Sequence, residues 1–272
     1  MFTVLGASGF VGSSLVSFFE QNGIPYFAPD RLYSFSKATP LGHVIYCIGV
    51  TADFRTRPFD TVAAHVSKVM DVLTNAQFES FLYLSSARVY SGSLSGREEE
   101  PVQVNASTFD DLYNISKLMG ESVCLSVPNN AVRVARLSNV VGNDFTSNNF
   151  LFSLIKDAVN THKIELGVPL NVSKDYVMID DVVSMLCAIA QGGRFRSYNV
   201  ASGAPVSNGE LVNRIQQITQ CQVAVTATSP GLKFPQISID RIVDEFSFRP
   251  KNVLNYIEGL VNFYDNTSHD TN

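Results

Sequence analysis

The sequence predicts an α/β protein built on a doubly wound parallel sheet. A glycine-rich turn, Gly6-Ala7-Ser8-Gly9-Phe10-Val11-Gly12, joins a short apolar run to a segment with helical periodicity. Apolar runs of strand length then alternate with helical patterns as far as about residue 137. Such alternation is typical of parallel strands joined by crossover helices, which bind ligands at the carboxyl ends of the strands.

Composition narrows the class of protein. The chain has 272 residues, 45% of them hydrophobic, and a net charge of -5, with basic residues scattered along it. We therefore expect no nucleic-acid partner and no anionic membrane surface. No apolar run approaches the roughly 20 residues of a membrane helix, and no signal peptide can be fitted before the first strand pattern. We expect a cytoplasmic protein with four isolated, reduced cysteines and no metal site.

The first predicted unit is strand, glycine turn and helix. Phe2-Thr3-Val4-Leu5 has a strand pattern, and Leu15, Phe18 and Phe19 follow the turn at helical spacing. The glycines allow a tight turn, close backbone approach to a pyrophosphate and close packing of helix on strand, while the helix N-terminus presents free N–H groups. The unit predicts a dinucleotide site made by Gly6, Ser8, Gly9, Phe10, Val11 and Gly12.

The second predicted strand, Tyr26-Phe27-Ala28, bears on the choice of cofactor. It ends at Asp30 and Arg31, and Asp30 falls 24 residues after Gly6. An acid at this place suits the ribose hydroxyls of NAD and repels the additional phosphate of NADP. Arg31 is able to hold that phosphate, so the sequence favours NAD without excluding NADP.

The third strand and its helix are predicted to be missing. Only residues 32–43 separate Arg31 from the next apolar run, Val44 to Val50, and a crossover alone needs about a dozen residues. A helix is expected over Phe59 to Leu73, followed by a strand over Phe81 to Leu84. That strand ends at Ser86, where a hydroxyl can hydrogen-bond a substrate oxygen. In the polar loop that follows, Glu98-Glu99-Glu100 is interpreted as solvated.

The next helix, over residues 107–125, carries Tyr113 and Lys117. Residues four apart lie on one face of a helix, and an ammonium near a phenol favours the phenolate. The pair can therefore make an acid or base usable near neutrality. A Tyr-x-x-x-Lys pair alone is far more often a surface ion-and-ring contact, so the functional interpretation depends on the rest of the sequence.

The alternation loosens after the predicted strand Ala131 to Leu137. Helices are expected over Asn148 to Val159, after Asp180 and Asp181, and over Val253 to Tyr264. We predict a Rossmann-type domain from residues 1–138 plus 176–198 and a small α+β substrate-binding part from 139–175 plus 199–264. Residues 265–272 are predicted to be a disordered tail.

Six motifs in order resemble one known family. They are Gly6-Ala7-Ser8-Gly9-Phe10-Val11-Gly12, Ser85-Ser86-Ala87-Arg88-Val89-Tyr90, Tyr113-Asn114-Ile115-Ser116-Lys117, Arg136-Leu137-Ser138-Asn139-Val140-Val141-Gly142, Lys174-Asp175-Tyr176-Val177 and Phe248-Arg249-Pro250. Over residues 1 to about 262 the chain resembles the extended short-chain dehydrogenase/reductases. Within that family it is similar to the nucleotide-sugar epimerases, dehydratases and ketoreductases.

The resemblance assigns roles to individual residues. It implies that Tyr113 is the acid/base, that Lys117 is its electrostatic partner and binds the nicotinamide ribose, and that Ser86 orients the reacting oxygen. Further cofactor contacts are implied for Asp30, Arg31, Ile48, Gly49, Thr51, Leu84 and Leu137.

The resemblance also implies a substrate site and a dimer. Asn139, Asn149 and Lys174 are expected to bind a nucleotide-diphosphate sugar, although a loop-capping amide is the alternative role for Asn139. Lys174 stands where many epimerases have an arginine on the diphosphate. Relatives commonly pair the helices over 60–75 and 111–125 into a four-helix bundle, for which Val66, Val69 and Met70 are candidates.

Three reactions share this machinery. The family's 4,6-dehydratases place acids directly after the central serine, whereas this chain has Ala87 and Arg88. We expect a nucleotide-sugar 4-epimerase that uses NAD(P), with a nucleotide-4-keto-6-deoxysugar reductase as the alternative. A non-catalytic protein that senses a dinucleotide or serves as a scaffold is the hypothesis from a different class.

Overall fold

The structure, a computed structural model, describes residues 1–145, 149–228, 231 and 233–269. Its strands are β1 (Phe2–Leu5), β2 (Tyr26–Phe27), β3 (His43–Tyr46), β4 (Ser80–Ser86), β5 (Val132–Leu137), β6 (Asn139–Val141), β7 (Lys163–Leu166), β8 (Ser173–Lys174), β9 (Tyr176–Met178), β10 (Ser197–Val200), β11 (Val206–Ser207) and β12 (Gln222–Val225). Its α-helices are α1 (Phe10–Gln21), α2 (Pro58–Val62), α3 (Lys68–Asn75), α4 (Leu112–Ser126), α5 (Phe150–Thr161), α6 (Ile179–Gly192), α7 (Asn208–Thr219), α8 (Asp240–Phe246) and α9 (Ile257–His269).

A six-stranded parallel sheet organises the protein. Its order is β10-β5-β4-β3-β1-β2, and every neighbouring pair is parallel. The order reverses at β1, which has β2 on one side and β3 on the other, and open α/β sheets bind ligands at such a switch point. Apart from an isolated bridge at Pro40, no strand or helix lies between β2 and β3. The prediction of a doubly wound parallel sheet without its third strand is confirmed.

Helices cover both faces of this sheet. On one face α1 and α6 pack against the central strands, and on the other α3 and α4 do so. Each fully buried aliphatic or aromatic side chain in these layers contributes about 1.5–3 kcal/mol. The first layer includes Val4, Leu15, Phe19, Leu82 and Leu186, and the second includes Tyr46, Val69, Val72, Phe81 and Cys124.

A second apolar core lies in the carboxyl-terminal half of the chain. It joins α5, α7 and α9 to β7 and β12, with Leu151, Ile155, Leu211 and Ile257 fully buried. The division of the chain into two parts remains a proposal. β10 continues past the proposed boundary at residue 198, and Ile242 of α8 packs into the first core.

Three elements of the structure differ in detail from their predicted bounds. The helix expected over Phe59 to Leu73 is interrupted by a π-helical turn, Ala63–Ser67, between α2 and α3. Asn148, the expected start of another helix, lies outside the described residues, and α5 begins at Phe150. The expected disordered tail is helical over residues 265–269, because α9 runs on to His269, and residues 270–272 lie outside the described part.

The described residues form neither a membrane-spanning helix nor a cluster of metal ligands. None of the helices there combines the length and the apolar character that spanning a bilayer requires. The same residues contain no group of three or more histidine, cysteine, aspartate or glutamate side chains placed to hold a metal ion.

Candidate active site

The glycine turn between β1 and α1 is shaped for a ligand as well as for packing. Gly6 has a φ of 91°, and a Cβ there would lie 2.9 Å from the Ile48 nitrogen. A Cβ at Gly12 would lie 2.2 Å from the Gly6 carbonyl oxygen, so both positions require glycine for packing alone. At Gly9 the nearest atom would be 3.6 Å away, an ordinary contact. The protein itself therefore leaves space at Gly9.

The N-terminus of α1 faces that space. Gly9 is the N-cap residue, and no side chain caps the helix. Its first N–H groups are thus available for an anion such as a pyrophosphate. Together with the space at Gly9, this fits the predicted dinucleotide. Of the other predicted contacts, Ser8 is exposed, Val11 is half-buried, and the Phe10 ring packs edge-on against Phe152.

The predicted adenosine contacts lie at the end of β2. Asp30 and Arg31 are both exposed, and Asp30 Oδ1 accepts a hydrogen bond from the Leu32 nitrogen at 2.8 Å. Its other carboxylate oxygen makes no hydrogen bond or ion pair with the described residues and is available to a ribose hydroxyl. Because the third strand is missing, an irregular segment follows, in which the Phe27 and Tyr33 rings meet edge to face at 5.3 Å.

Ser86 and Tyr113 meet at the carboxyl end of β4. Ser86 ends that strand, and its Oγ accepts a hydrogen bond from the Arg88 nitrogen at 3.2 Å. Tyr113 lies in the first turn of α4 with only 6% of its surface exposed. Burial raises the pKa of Tyr113, while hydrogen bonding to Ser86 and the charge of Arg88 oppose the rise. The two predicted catalytic hydroxyls are therefore adjacent.

Lys117 lies on the same face of α4, and its ammonium is hydrogen-bonded to the backbone of β4. Its Nζ donates a hydrogen bond to the Leu84 carbonyl at 2.8 Å and lies 5.1 Å from the centre of the Tyr83 ring. Burial lowers the pKa of Lys117 to about 7, against an opposing effect of Glu121. Arg88 is the cation whose charge opposes the rise in the pKa of Tyr113, and the expectation that Lys117 also lowers this pKa stays a prediction.

His65 is a site residue that sequence reasoning missed. It lies in the π-helical turn, fully buried, and its ring meets the Tyr113 ring edge-on at 5.4 Å. The Val50 nitrogen donates to His65 Nε2 at 3.3 Å, so the proton is on Nδ1, which donates to Ser116 Oγ at 2.8 Å. Burial lowers the pKa of His65 to about 2, so the ring is neutral. It ties the loop after β3 to the catalytic helix.

The loop after β3 completes that connection. Ile48 is half-buried and Gly49 is exposed, and a Cβ at Gly49 would lie 3.3 Å from His65 Nε2 and 3.5 Å from Lys117 Nζ. The loop therefore passes close to both side chains at Gly49. No motif distinguishes a histidine at this position, and its role arises from contacts 15 and 51 residues away in the chain.

A buried polar network supports the end of β4. Arg136 pairs with Glu121 of α4 at 2.7 Å and donates to the Tyr90 hydroxyl, also at 2.7 Å. Glu121 accepts from Ser85, and Tyr90 donates to Asn199 of β10. The expectation that residues 98–100 are all solvated is wrong for Glu98, which is 8% exposed because it accepts a hydrogen bond from the Asn199 nitrogen.

A cavity of about 290 Å³ brings the predicted catalytic and substrate residues together. It lies at the carboxyl edge of the sheet, where β3, β4 and β5 end. Its lining includes Thr51, Ser86, Tyr113, Leu137, Asn139, Asn149 and Lys174 from the prediction, together with Phe54, Ala87, Arg88, Phe150, Asp175, Phe234 and Pro235 among others. Leu84 and Lys117 lie behind this wall, joined by their hydrogen bond.

The three predicted substrate residues differ in how far their side chains are already bonded within the protein. The Asn139 side-chain nitrogen donates to the Asp175 carbonyl at 2.7 Å, which is the loop-capping contact considered as its alternative role. Asn149 is the N-cap of α5, and its Oδ1 accepts from the Phe152 nitrogen at 2.9 Å. Lys174 Nζ lies 5.0 Å from the centre of the Phe150 ring, and burial and the charge of Arg88 lower the pKa of Lys174.

Known proteins are similar to this chain in sequence and in fold. The model of the NAD dependent epimerase/dehydratase family matches residues 35–201, more than half of the chain. The dTDP-glucose 4,6-dehydratase of Streptomyces griseus is 34% identical over 152 residues, which make up 53% of this chain. The match covers 44% of that enzyme, so the chain spans less than half the length of this curated relative.

Solved structures share the whole fold. RMD from Pseudomonas aeruginosa, complexed with NADPH, has a TM-score of 0.81 at 21% identity and covers 98% of this chain and 100% of its own. The UDP-glucose 4-epimerase of Thermotoga maritima, with UDP-glucose, has a TM-score of 0.83 at 16% identity, covering 98% and 99%. At these identities the likeness shows the fold alone. The family match, by contrast, rests on the residues themselves and includes Ser86, Tyr113 and Lys117, so the chain belongs to the NAD-dependent epimerase/dehydratase family.

Proposed function

We propose that the protein is a nucleotide-sugar 4-epimerase that uses NAD, with Tyr113 as its acid/base. The observation that carries this proposal is the adjacent pair of Ser86 and Tyr113 in the wall of a cavity at the carboxyl edge of the sheet. Membership of the family supports NAD as the cofactor. The glycine turn would hold its pyrophosphate, Asp30 its adenosine ribose, and Lys117 its nicotinamide ribose.

The residues of the chain handle the proton. Bound NAD supplies reversible hydride transfer at a sugar carbon. Tyr113 would take the proton of the 4-hydroxyl while the sugar is oxidised and return it while the ketone is reduced. Ser86 would hydrogen-bond the same oxygen. Burial raises the pKa of Tyr113 and so hinders loss of its proton. The nearby positive charge of Arg88 has the opposite effect, because it stabilises the phenolate.

The acids that a 4,6-dehydratase needs are not supplied by the described cavity lining. Such an enzyme must protonate a departing 6-hydroxyl and remove a neighbouring proton. Ala87 and Arg88 occupy the places after Ser86, and Asp175 is the one carboxylate that lines the described cavity. Both oxygens of Asp175 accept hydrogen bonds from Ser202, at 2.8 Å each, so it is committed to the loop. These contacts favour epimerisation over dehydration.

The test combines cofactor content with turnover. The purified protein should release NAD on denaturation and interconvert C4 epimers of a nucleotide sugar, followed by NMR. Tyr113→Phe should lower kcat by about 10²–10⁴-fold and retain NAD, since general acid/base catalysis contributes that factor.

A matched control is the same substitution at Tyr176. That tyrosine is also buried, but its hydroxyl has no hydrogen-bond partner in the described structure and does not line the cavity. Tyr176→Phe should keep full activity. Unchanged turnover in Tyr113→Phe would disprove its role. Net oxidation of added NADH by a 4-keto sugar, without any epimer, would instead identify the reductase.

A further inference from the structure

Arg88 is a cation in the cavity wall that the reaction described above leaves without a ligand. It lies on a 3₁₀ turn, Ala87–Tyr90, directly after Ser86. The centre of its guanidinium is 5.4 Å from the Phe54 ring and 5.8 Å from the Tyr113 ring. Its Nε is buried and has no hydrogen-bond partner within the described chain. A guanidinium has five donors, and a buried donor left unpaired, as Nε is here, is costly.

The charges around Arg88 do not supply its partner. Lys174, the other cation of the lining, is close enough for Arg88 to lower its pKa. The pKa of Asp110 is lowered mainly by its hydrogen bond from Arg55, at 2.7 Å, and less by the charge of Arg88, and the carboxylate is half-exposed. Asp175 is engaged by Ser202. Among the described residues, two cations and no free carboxylate therefore face the cavity, which predicts an anionic ligand.

Sugar chemistry separates the tasks of the two cations. In a nucleotide sugar the diphosphate is attached at C1, which lies across the pyranose ring from C4. Arg88 contacts Tyr113, whose hydroxyl acts at C4, so the substituent beside Arg88 belongs to a neighbour of C4. One neighbour, C5, carries C6. A carboxylate at C6 accepts two parallel charge-assisted hydrogen bonds from a guanidinium, whereas a hydroxymethyl group offers only a neutral one.

We propose that Arg88 binds the C6 carboxylate of a nucleotide-diphosphate uronic acid, while Lys174 serves the diphosphate. This assignment rests on the proposed function of the same cavity and names its substrate class. A charged hydrogen-bonded pair at a desolvated site changes affinity by about 10- to 100-fold. The preference for a uronic acid over the corresponding neutral sugar should have that size.

The test is calorimetric binding to the NAD-loaded protein. The ligands are the uridine and thymidine diphosphate esters of glucuronate and of glucose, with the free nucleoside diphosphates. The natural chain should bind the glucuronate ester about 10- to 100-fold more tightly than the glucose ester. Arg88→Gln should remove this preference by weakening the glucuronate ester far more than the glucose ester or the free diphosphate. Arg88→Lys should keep part of the preference, because the charge remains.

Lys174→Gln is the matched control. It should weaken binding of the glucuronate esters, the glucose esters and the free nucleoside diphosphates by a similar factor, because all of them carry the diphosphate. Equal affinity of the natural chain for the two sugars would overturn the proposal, as would an equal loss of both in Arg88→Gln. That equal loss, with a shifted pH profile of kcat, would show that Arg88 acts through Tyr113.

The same measurements separate this proposal from the proposed function. Glucuronate binding that depends on Arg88, without exchange of C4 epimers, would retain the carboxylate site and reject the epimerase. Epimerisation of neutral sugars by a protein that binds the glucuronate and glucose esters equally would retain the epimerase and reject the carboxylate site. Binding of none of the esters would reject both.

Discussion

At the scale of single residues, burial works against both members of the predicted proton-transfer pair. It raises the pKa of Tyr113 and lowers the pKa of Lys117 to about 7. Each effect follows from the cost of keeping a charge away from water. The pair is therefore tuned by its surroundings, with Arg88 opposing the effect on the phenol and Glu121 the effect on the amine.

The lowered pKa of Lys117 makes a stability prediction. Between pH 7 and its ordinary pKa of 10.5, the unfolded chain holds a proton that the folded chain has lost. The free energy of unfolding therefore rises with pH across that window. Below pH 7 the buried amine is charged, and it lowers the free energy of unfolding by its full amount. Lys117→Met should raise the free energy of unfolding by about 2 kcal/mol at pH 6, with a gain that shrinks towards pH 10.

Denaturant titrations at pH 6, 8 and 10 check this expectation. The exposed Lys37 gives the control, since Lys37→Met should stay within about 0.5 kcal/mol at every pH. A gain from Lys117→Met of the same size at all three values would contradict a titrating amine.

At the scale of elements, the glycine turn separates what the fold needs from what a ligand needs. Gly12 is required because helix α1 approaches the Gly6 carbonyl, whereas the space at Gly9 is not used by the protein. On the opposite face of the sheet, the π-helical turn also meets a structural need, because it makes close packing contacts with a strand and a helix. It carries His65, whose carbonyl accepts a hydrogen bond from Tyr83 at 3.2 Å, close to the point where Gly120 of α4 packs.

Alanine at the two glycines should therefore have opposite effects. Gly9→Ala should leave the free energy of unfolding within about 0.5 kcal/mol and weaken NAD binding about tenfold or more, because its Cβ enters the space left for the pyrophosphate. Gly12→Ala should lower the free energy of unfolding by about 3 kcal/mol, because its Cβ meets backbone at 2.2 Å. Denaturation without cofactor and NAD titration measure the two effects. Similar losses of stability in both variants would contradict this division.

At the scale of the whole molecule, three helices expose apolar side chains. Phe59 of α2 is 88% exposed, Met70 of α3 is 51% exposed and Met119 of α4 is 52% exposed. These helices pack side by side, and such a surface is typical of an interface. A homodimer through these helices remains a proposal. Val69, one of the candidates from the sequence, is fully buried in the protomer's own core and is not available to it.

Charge on this surface should separate the proposed dimer. Met70→Lys with Met119→Lys should give a monomer by sedimentation, because two ammonium groups would face their copies across the two-fold axis. Leu94→Lys is the control, since Leu94 is fully exposed in the loop after β4 and should not affect association. If the natural protein is itself monomeric, the proposed interface is wrong.

Much of the fold and part of the site could be predicted from the sequence. Periodicity predicts the strands and helices because each element buries one face, and spacing predicts the missing third strand because a crossover needs a minimum length. Ser86, Tyr113 and the glycines were predictable because the chain presents them at strand ends or four residues apart on one helix.

The sequence by itself determined the parallel sheet, the glycine turn and the positions of Ser86 and Tyr113, since these depend on neighbours close along the chain. Only the tertiary structure decided that Lys117 binds the Leu84 carbonyl, that His65 contacts α4 through Ser116 and that Glu98 is buried. It also decided that Arg88 faces a cavity without a partner among the described residues. The charge, burial and hydrogen-bond partners of these residues depend on segments that are distant in sequence. The local sequence pattern therefore cannot predict them.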